Sequence, residues 1–262
     1  MRTVVFFGGN GHAAERLAPA RGALARLLAA GEVAPLDLVD VPYPGFEDRP
    51  RARDAEAFLA ATAEAIAPAV GRADAVVYGT GIGALLALTL RTRDALGRGP
   101  LILQGPVLWG LERRWMPRLA RLGLAPLIPR LLGWRAFQRR FARRHFVRAP
   151  SEELREAFFA GYARCPAATD LFRWCNPSWL RGLEAAAQRR PDRLAGIEAW
   201  WGGRDRVVGP AEVRWTEEAL RVRWPERSFP QWGHYPMIDD PEGWVRALAG
   251  MPEPRPTVMI GR

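Results

Sequence analysis

Few side chains in this sequence can attack a carbon or move a proton near neutral pH, so where they stand matters more than how many there are. The histidines are His12, His145 and His234, the cysteines Cys165 and Cys175, and the serines Ser151, Ser178 and Ser228. The most organised stretch is Gly79-Thr80-Gly81-Ile82-Gly83, which follows an apolar run at 75–78 and precedes an Ala- and Leu-rich segment. A strand, sharp turn and helix of this kind is a nucleophile elbow, in which Ser, Cys or Asp stands between glycines that let strand and helix approach closely. Here the presenting position is Gly81. Glycine has no oxygen or sulfur with which to attack a carbonyl, so an acyl-enzyme at that position is excluded. It also relieves the positive φ of the elbow, which costs other residues about 1–3 kcal/mol. Thr80, just before the turn, and Tyr78 carry the nearest hydroxyls; none of the serines lies on such a turn. Cys165 and Cys175 stand ten residues apart without a neighbouring His or Cys, which matches no zinc spacing and no disulfide framework, so no metal site is expected.

These residues need elements to hold them. Residues 4–7 form a short β-rich run that ends in Gly8-Gly9-Asn10-Gly11-His12, and an Ala-rich helical pattern occupies 13–30. Further strands are expected at 36–41, 74–78 and 101–104, with a helix over 53–70 whose apolar positions recur near i, i+4 and i+8. The strand pattern resumes around 194–201 and closes at Gly202-Gly203-Arg204-Asp205. A helix at 210–222 then leads to a last strand near 227–230, ending at Gln231-Trp232-Gly233-His234. A final helix covers 241–249, and the proline-rich tail reads as loosely held. Uninterrupted apolar strands alternating with helices predict an α/β fold with a mostly parallel sheet covered on both faces. Between Trp109 and Pro191 the pattern is helical and rich in Trp and Arg. This divides the chain into a core of 1–108 and 192–262 and an insertion of 109–191.

In that order (elbow, acid turn, histidine loop, with helices interposed) the chain resembles a cap-bearing member of the α/β-hydrolase superfamily over nearly its whole length. Gly8-Gly9-Asn10-Gly11 is similar to the family's oxyanion loop, although the usual His-Gly reads Gly8-Gly9. Gly79 to Gly83 resembles the elbow, Gly202-Gly203-Arg204-Asp205 the acid turn and Trp232-Gly233-His234 the histidine loop. The resemblance implies that Asp205 accepts a hydrogen bond from one ring nitrogen of His234, leaving the other facing a pocket. It also implies that the backbone amides of Asn10 and Ile82 converge on a developing oxyanion, worth roughly 2.7–4 kcal/mol per donor. The plainer reading of the pair is a helix-capping aspartate and a histidine that merely ends a strand. His12, beside the oxyanion turn, is an auxiliary proton donor or a capping residue, and His145 reads as surface.

The chain has 262 residues and a net charge of +10, and all of its basic residues are arginine. Eleven arginines against the single acid Glu112 fall between 112 and 148, so the insertion accounts for the excess. Such a face suits an anionic substrate, a carrier-protein partner or a membrane surface, or is simply solvated. Nucleic acid is disfavoured for want of a binding motif. Trp109, Trp115, Trp134, Trp174 and Trp179 either line an apolar pocket or give the insertion its own core. With no signal-like N-terminus and no long apolar run, a cytoplasmic protein without a transmembrane segment is expected.

Two functions of different class remain open. One is a cofactor-independent enzyme in which His234, oriented by Asp205, acts as general acid or base on a small, largely apolar substrate, with an anionic or carrier-bound one left open. The other is a catalytically silent homologue that binds a small molecule or a partner. A dinucleotide site built on Gly9-Asn10-Gly11-His12-Ala13-Ala14 with Asp40 is a weaker third, because it explains nothing after residue 100.

Overall fold

The computed structural model describes residues 1–10, 14–106, 110–111, 114–251 and 258–259. Six strands form one fully parallel sheet: β1 (Arg2–Phe7), β2 (Leu36–Asp40), β3 (Ala75–Thr80), β4 (Leu101–Gln104), β5 (Ile197–Gly202) and, after the two-residue β6 (Val222–Arg223), β7 (Glu226–Phe229). The spatial order is β2-β1-β3-β4-β5-β7. The chain runs from β1 outward to β2 and returns to place β3 on the other side of β1, so the direction of winding reverses between β1 and β3. In open parallel sheets, ligands bind beyond the carboxyl ends of the strands at such a switch point.

The helices that cross between these strands are α1 (Ala18–Ala29), α2 (Ala55–Val70), α3 (Ile82–Thr92) and α10 (Pro210–Leu220), and α12 (Pro241–Ala249) follows the last strand of the sheet. The Ala-rich segment expected to be one helix begins instead with a 3-10 turn, Ala14–Leu17, and becomes α-helical where Pro19 supplies a ready-made first turn. Asp54 caps α2 by accepting the Ala57 N–H at 2.8 Å, which sets that helix start two residues later than its periodicity suggests. Every residue of β3 and of α3 is buried. Rings from different elements interlock beneath the sheet: Tyr78 meets Trp244 edge to face at 5.3 Å and Trp200 at 6.0 Å. Such pairs add about 0.5–1.5 kcal/mol beyond the area they bury.

Six helices separate β4 from β5: α4 (Trp115–Arg121), α5 (Leu127–Gly133), α6 (Arg135–His145), α7 (Glu152–Arg164), α8 (Pro166–Trp174) and α9 (Pro177–Arg189). They are tied to the sheet by specific polar contacts. Arg51, after β2, donates from Nε and Nη2 to both carboxylate oxygens of the buried Asp170 on α8, at 2.6 and 2.8 Å. The indole N–H of Trp179 on α9 donates to Thr89 on α3 at 3.0 Å. A short helix, α11 (Pro236–Asp239), lies between β7 and α12. Within the tail, β8 (Val258–Met259) pairs antiparallel with β6. Among the described residues no helix is long and apolar enough to cross a membrane.

Candidate active site

Because the sheet is parallel, the turns that follow β1, β3, β5 and β7 all emerge at one edge, and each brings a residue singled out above. The turn after β3 is the tightest. Gly81 has φ of +56° and ψ of −122°, a conformation that glycine adopts without the strain it imposes on other residues, and it caps α3 directly. Gly83, in the first turn of α3, lies against β1 so closely that a β-carbon there would stand 2.1 Å from the carbonyl oxygen of Phe7. Strand and helix can therefore cross at this distance only with glycine in place.

Asp205, in the turn after β5, is fixed on both sides. Its Oδ1 accepts the backbone N–H groups of Val207 at 2.7 Å and Val208 at 3.0 Å, a local turn that aims the other oxygen outward. Oδ2 accepts a hydrogen bond from Nδ1 of His234 at 2.9 Å, and both side chains are almost fully buried. Burial alone would raise the Asp205 carboxyl; the His234 ring and the two amides outweigh it and hold the group below its ordinary value. A carboxylate can only accept, so the ring proton sits on Nδ1 and the lone pair of Nε2 is left facing Gly81. A β-carbon on Gly81 would lie 3.6 Å from that nitrogen.

Asn10 and Ile82 flank the switch point and line the same cavity as Gly81 and His234. Ile82 is the first residue of α3, where backbone N–H groups lack helical partners and the dipole favours negative charge. The turn after β1 is braced from three directions. Tyr43 donates its hydroxyl to the carbonyl of Gly8 at 3.1 Å, Asn10 donates Nδ2 to the Ala168 carbonyl on α8 at 2.7 Å, and the Arg16 guanidinium donates to the Asn10 carbonyl at 3.1 Å. Arg16 is buried, packs over the Phe158 ring at 3.7 Å and donates to the Phe158 carbonyl on α7 at 2.8 Å.

The cavity has a volume of about 520 Å³, within the range of small-molecule sites. One face of α6 lines it: Phe137, Arg140, Phe141, Arg144 and His145 recur at helical spacing. Trp115 and Met116 from α4, Phe172 from α8, Trp215 from α10 and Tyr235 after the histidine loop complete its mostly apolar wall. The Arg114 charge is met by Glu212 at 2.6 Å. Arg144, by contrast, reaches only the Arg206 carbonyl at 3.2 Å, and Arg140 makes no ion pair among the described residues.

His145 overturns the expectation of a surface residue. Its Nδ1–H donates to the Phe141 carbonyl one turn earlier at 2.8 Å, its ring stacks on Phe141 at 3.5 Å, and its centroid stands 5.9 Å from that of His234. Burial, reinforced by the neighbouring His234, pushes its pKa down to about 3, so it is neutral and turns an Nε2 acceptor outward from the pair. Tyr235, stacked near it, is a neutral phenol whose pKa burial raises. Neither residue carries a sequence motif. Thr80 is buried and lies outside the cavity lining, with its hydroxyl unpaired among the described residues. Cys165 and Cys175 are buried free thiols raised by burial, and among the described residues no cluster of His, Cys, Asp and Glu could hold a metal. His12 lies outside the described residues, as do Gly11, Trp109, Glu112 and Arg113.

Known structures of the same architecture include haloalkane dehalogenase DbeA from Bradyrhizobium elkani, with a TM-score of 0.68 at 21% identity over 95% of this chain and 89% of that one. The 2-hydroxy-6-oxo-6-phenylhexa-2,4-dienoate hydrolase from a Rhodococcus strain superposes with a TM-score of 0.64 at 18% identity, over 94% and 89%. A bromoperoxidase from Bacillus anthracis does so with 0.67 at 14%, over 94% and 90%. At these identities the likeness is one of fold. No curated protein matches the sequence. A sequence model of the alpha/beta hydrolase family matches residues 4–247, nearly the whole chain, and the protein belongs to that family.

Proposed function

We propose that this protein is an enzyme of the α/β-hydrolase superfamily that works without a covalent intermediate, with His234 as general acid or base on a small, largely apolar substrate held beneath a helical cap. The observation that carries the reading is the 2.9 Å hydrogen bond between Asp205 and His234, which leaves Nε2 directed at the space where Gly81 presents no side chain. An imidazole held in one tautomer by a buried carboxylate serves proton transfer and is of no use to a simple binding pocket. With nothing attached to Gly81, Nε2 can take a proton from a substrate carbon or hydroxyl, or from a water lodged in the same space. Charge that develops on the substrate oxygen falls to the amides of Asn10 and Ile82 at the N-terminus of α3. The proton then returns from His234 to the product, and Asp205 stabilises the imidazolium in between.

Ring-lined walls together with the exposed Arg140 and Arg144, which make no ion pair among the described residues, favour a substrate that carries a negative charge on an apolar body. The test is replacement of His234 by Ala in the host and comparison of its metabolite pool with that of the parent. Accumulation of one precursor is expected, with isolated enzyme then converting it roughly 10²–10⁴-fold faster than the variant does. An unchanged pool supports the silent binding homologue instead.

A further inference from the structure

Many arginines around the sheet are paired: Arg51, Arg72, Arg98, Arg190, Arg227 and Arg246 each meet a carboxylate. On α4 to α6, Arg135 reaches Glu156 at 3.9 Å, whereas Arg118, Arg130, Arg139 and Arg143 are exposed and make no ion pair among the described residues. Between 112 and 148 the sequence holds eleven arginines and the single acid Glu112, so no acidic segment within this stretch neutralises them.

The same three helices also hold an excess of exposed apolar side chains. Of nine large hydrophobic residues exposed among the described residues, five lie between 115 and 134: Trp115, Leu122, Leu124, Leu127 and Trp134. Leu122 is 72% exposed and Trp134 63%. Leu122 and Leu124 flank Gly123, whose φ of +77° turns the chain sharply between α4 and α5 and carries both outward. The three helices pack on one another, and Trp115 meets Phe137 of α6 at 5.5 Å. Leucines and a tryptophan left in water among uncompensated arginines are unfavourable for a face that meets only solvent.

We propose that the face formed by α4, α5 and α6 docks on an anionic lipid bilayer. Leu122, Leu124, Leu127 and Trp134 enter the boundary between headgroups and acyl chains, while Arg118, Arg130, Arg139 and Arg143 hold lipid phosphates. Both halves of this surface fit that occupant. Tryptophan favours the interfacial zone, and the attraction between basic side chains and an anionic leaflet grows with each arginine brought near it. A folded acidic protein fits less well, because these apolar side chains stand out singly from turns and short helices, and none of the four lines the large cavity. The mouth of that cavity, at Trp115, Arg140 and Arg144, belongs to the same helices, so docking turns it toward the lipid.

Sedimentation of the full chain with vesicles tests this, using phosphatidylcholine alone and phosphatidylcholine mixed with phosphatidylglycerol. The expected result is binding to the mixed vesicles only, with a blue shift of tryptophan fluorescence, and roughly tenfold weaker binding in about 0.5 M salt, where phosphate contacts are screened. Leu122→Ser with Leu127→Ser, and separately Arg139→Gln with Arg143→Gln, should each weaken binding roughly tenfold while circular dichroism stays unchanged. Arg53→Gln, at an exposed arginine outside α4 to α6, should have no effect. Absence of binding to the mixed vesicles overturns the proposal, as does equal loss in the Arg53 variant, which reduces the effect to net charge. Capture by soluble polyglutamate without partition onto vesicles overturns it in favour of an acidic protein.

Discussion

His234 directs its Nε2 at Gly81, and a β-carbon on that glycine would stand 3.6 Å away, in ordinary contact. On the function proposed above, Asp205, His234 and Gly81 are a triad lacking one side chain. Gly81→Ser should place a hydroxyl within hydrogen-bond reach of Nε2 and yield a burst of p-nitrophenol from p-nitrophenyl esters, followed by slow turnover. The same change forces a serine to φ near +56°, so stability should fall by about 1–3 kcal/mol. Calorimetry and burst kinetics on one preparation read both effects. A stable variant with no burst would show that Asp205, His234 and the elbow are misaligned for acyl transfer.

Asp205→Asn leaves the shape of the acid turn but replaces an acceptor by a group that can donate, so the His234 proton is no longer held on Nδ1. The downfield imidazole proton expected in NMR spectra of the parent should vanish. Turnover of whatever substrate the His234 comparison identifies should drop by roughly 10²–10⁴, and the double variant with His234→Ala should lose little more, because the two act as one unit.

Gly83→Ala puts a β-carbon 2.1 Å from the Phe7 oxygen and 2.4 Å from that of Gly8, both backbone atoms that cannot step aside. A loss above about 4 kcal/mol or failure to fold is expected. Gly182→Ala in the exposed middle of α9 meets nothing within 4 Å, and should stabilise by about 0.5–1 kcal/mol. Thermal unfolding of the two variants checks whether crowding or flexibility decides each site.

Two buried groups tilt stability with pH in opposite directions. The pKa of His145 is lowered to about 3, chiefly by burial, so unfolding takes up a proton below about 6.5 and His145 costs stability as pH falls from there. The pKa of Asp239 is raised to about 6, again chiefly by burial, while its Oδ1 accepts the Val147 N–H at 2.9 Å. The native state therefore holds a proton there that the unfolded chain has lost, and stability falls as pH rises from about 4 to 6. Denaturant midpoints across that window should rise with pH in Asp239→Asn protein, which keeps His145, and fall with pH in His145→Phe protein, with the parent profile between the two. Identical profiles would show that neither group is buried as described.

Much of this molecule was open to reading from its residues, for definite reasons. Gly79 and Gly83 serve a backbone crossing that no other residue tolerates, Gly81 relieves the strain of a positive φ between them, and apolar runs such as β3 can only be buried strands. Asp205 and His234 each close a strand, and parallel strands must deliver their ends to one edge. The walls of the cavity follow no such rule. Phe137 and Phe141 have the spacing of any amphipathic helix, and periodicity does not distinguish a face turned to a core from one turned to a cavity. His145 sits among arginines, which suggests solvent, yet a hydrogen bond to its own helix and a ring stack withdraw it. Trp215 and Tyr235 reach the cavity from elements far apart in sequence, through packing alone.

The hydrogen bonds from Asn10 to the Ala168 carbonyl and from Arg16 to the Phe158 carbonyl join the turn after β1 to α8 and α7. Helices stitched in this way to the floor of the cavity cannot lift as a door without tearing buried polar contacts from the turn beside the elbow. On the function proposed above, a ligand would then have to pass the exposed cavity-wall side chains Trp115, Arg140 and Arg144, which would act as a sieve that selects by girth.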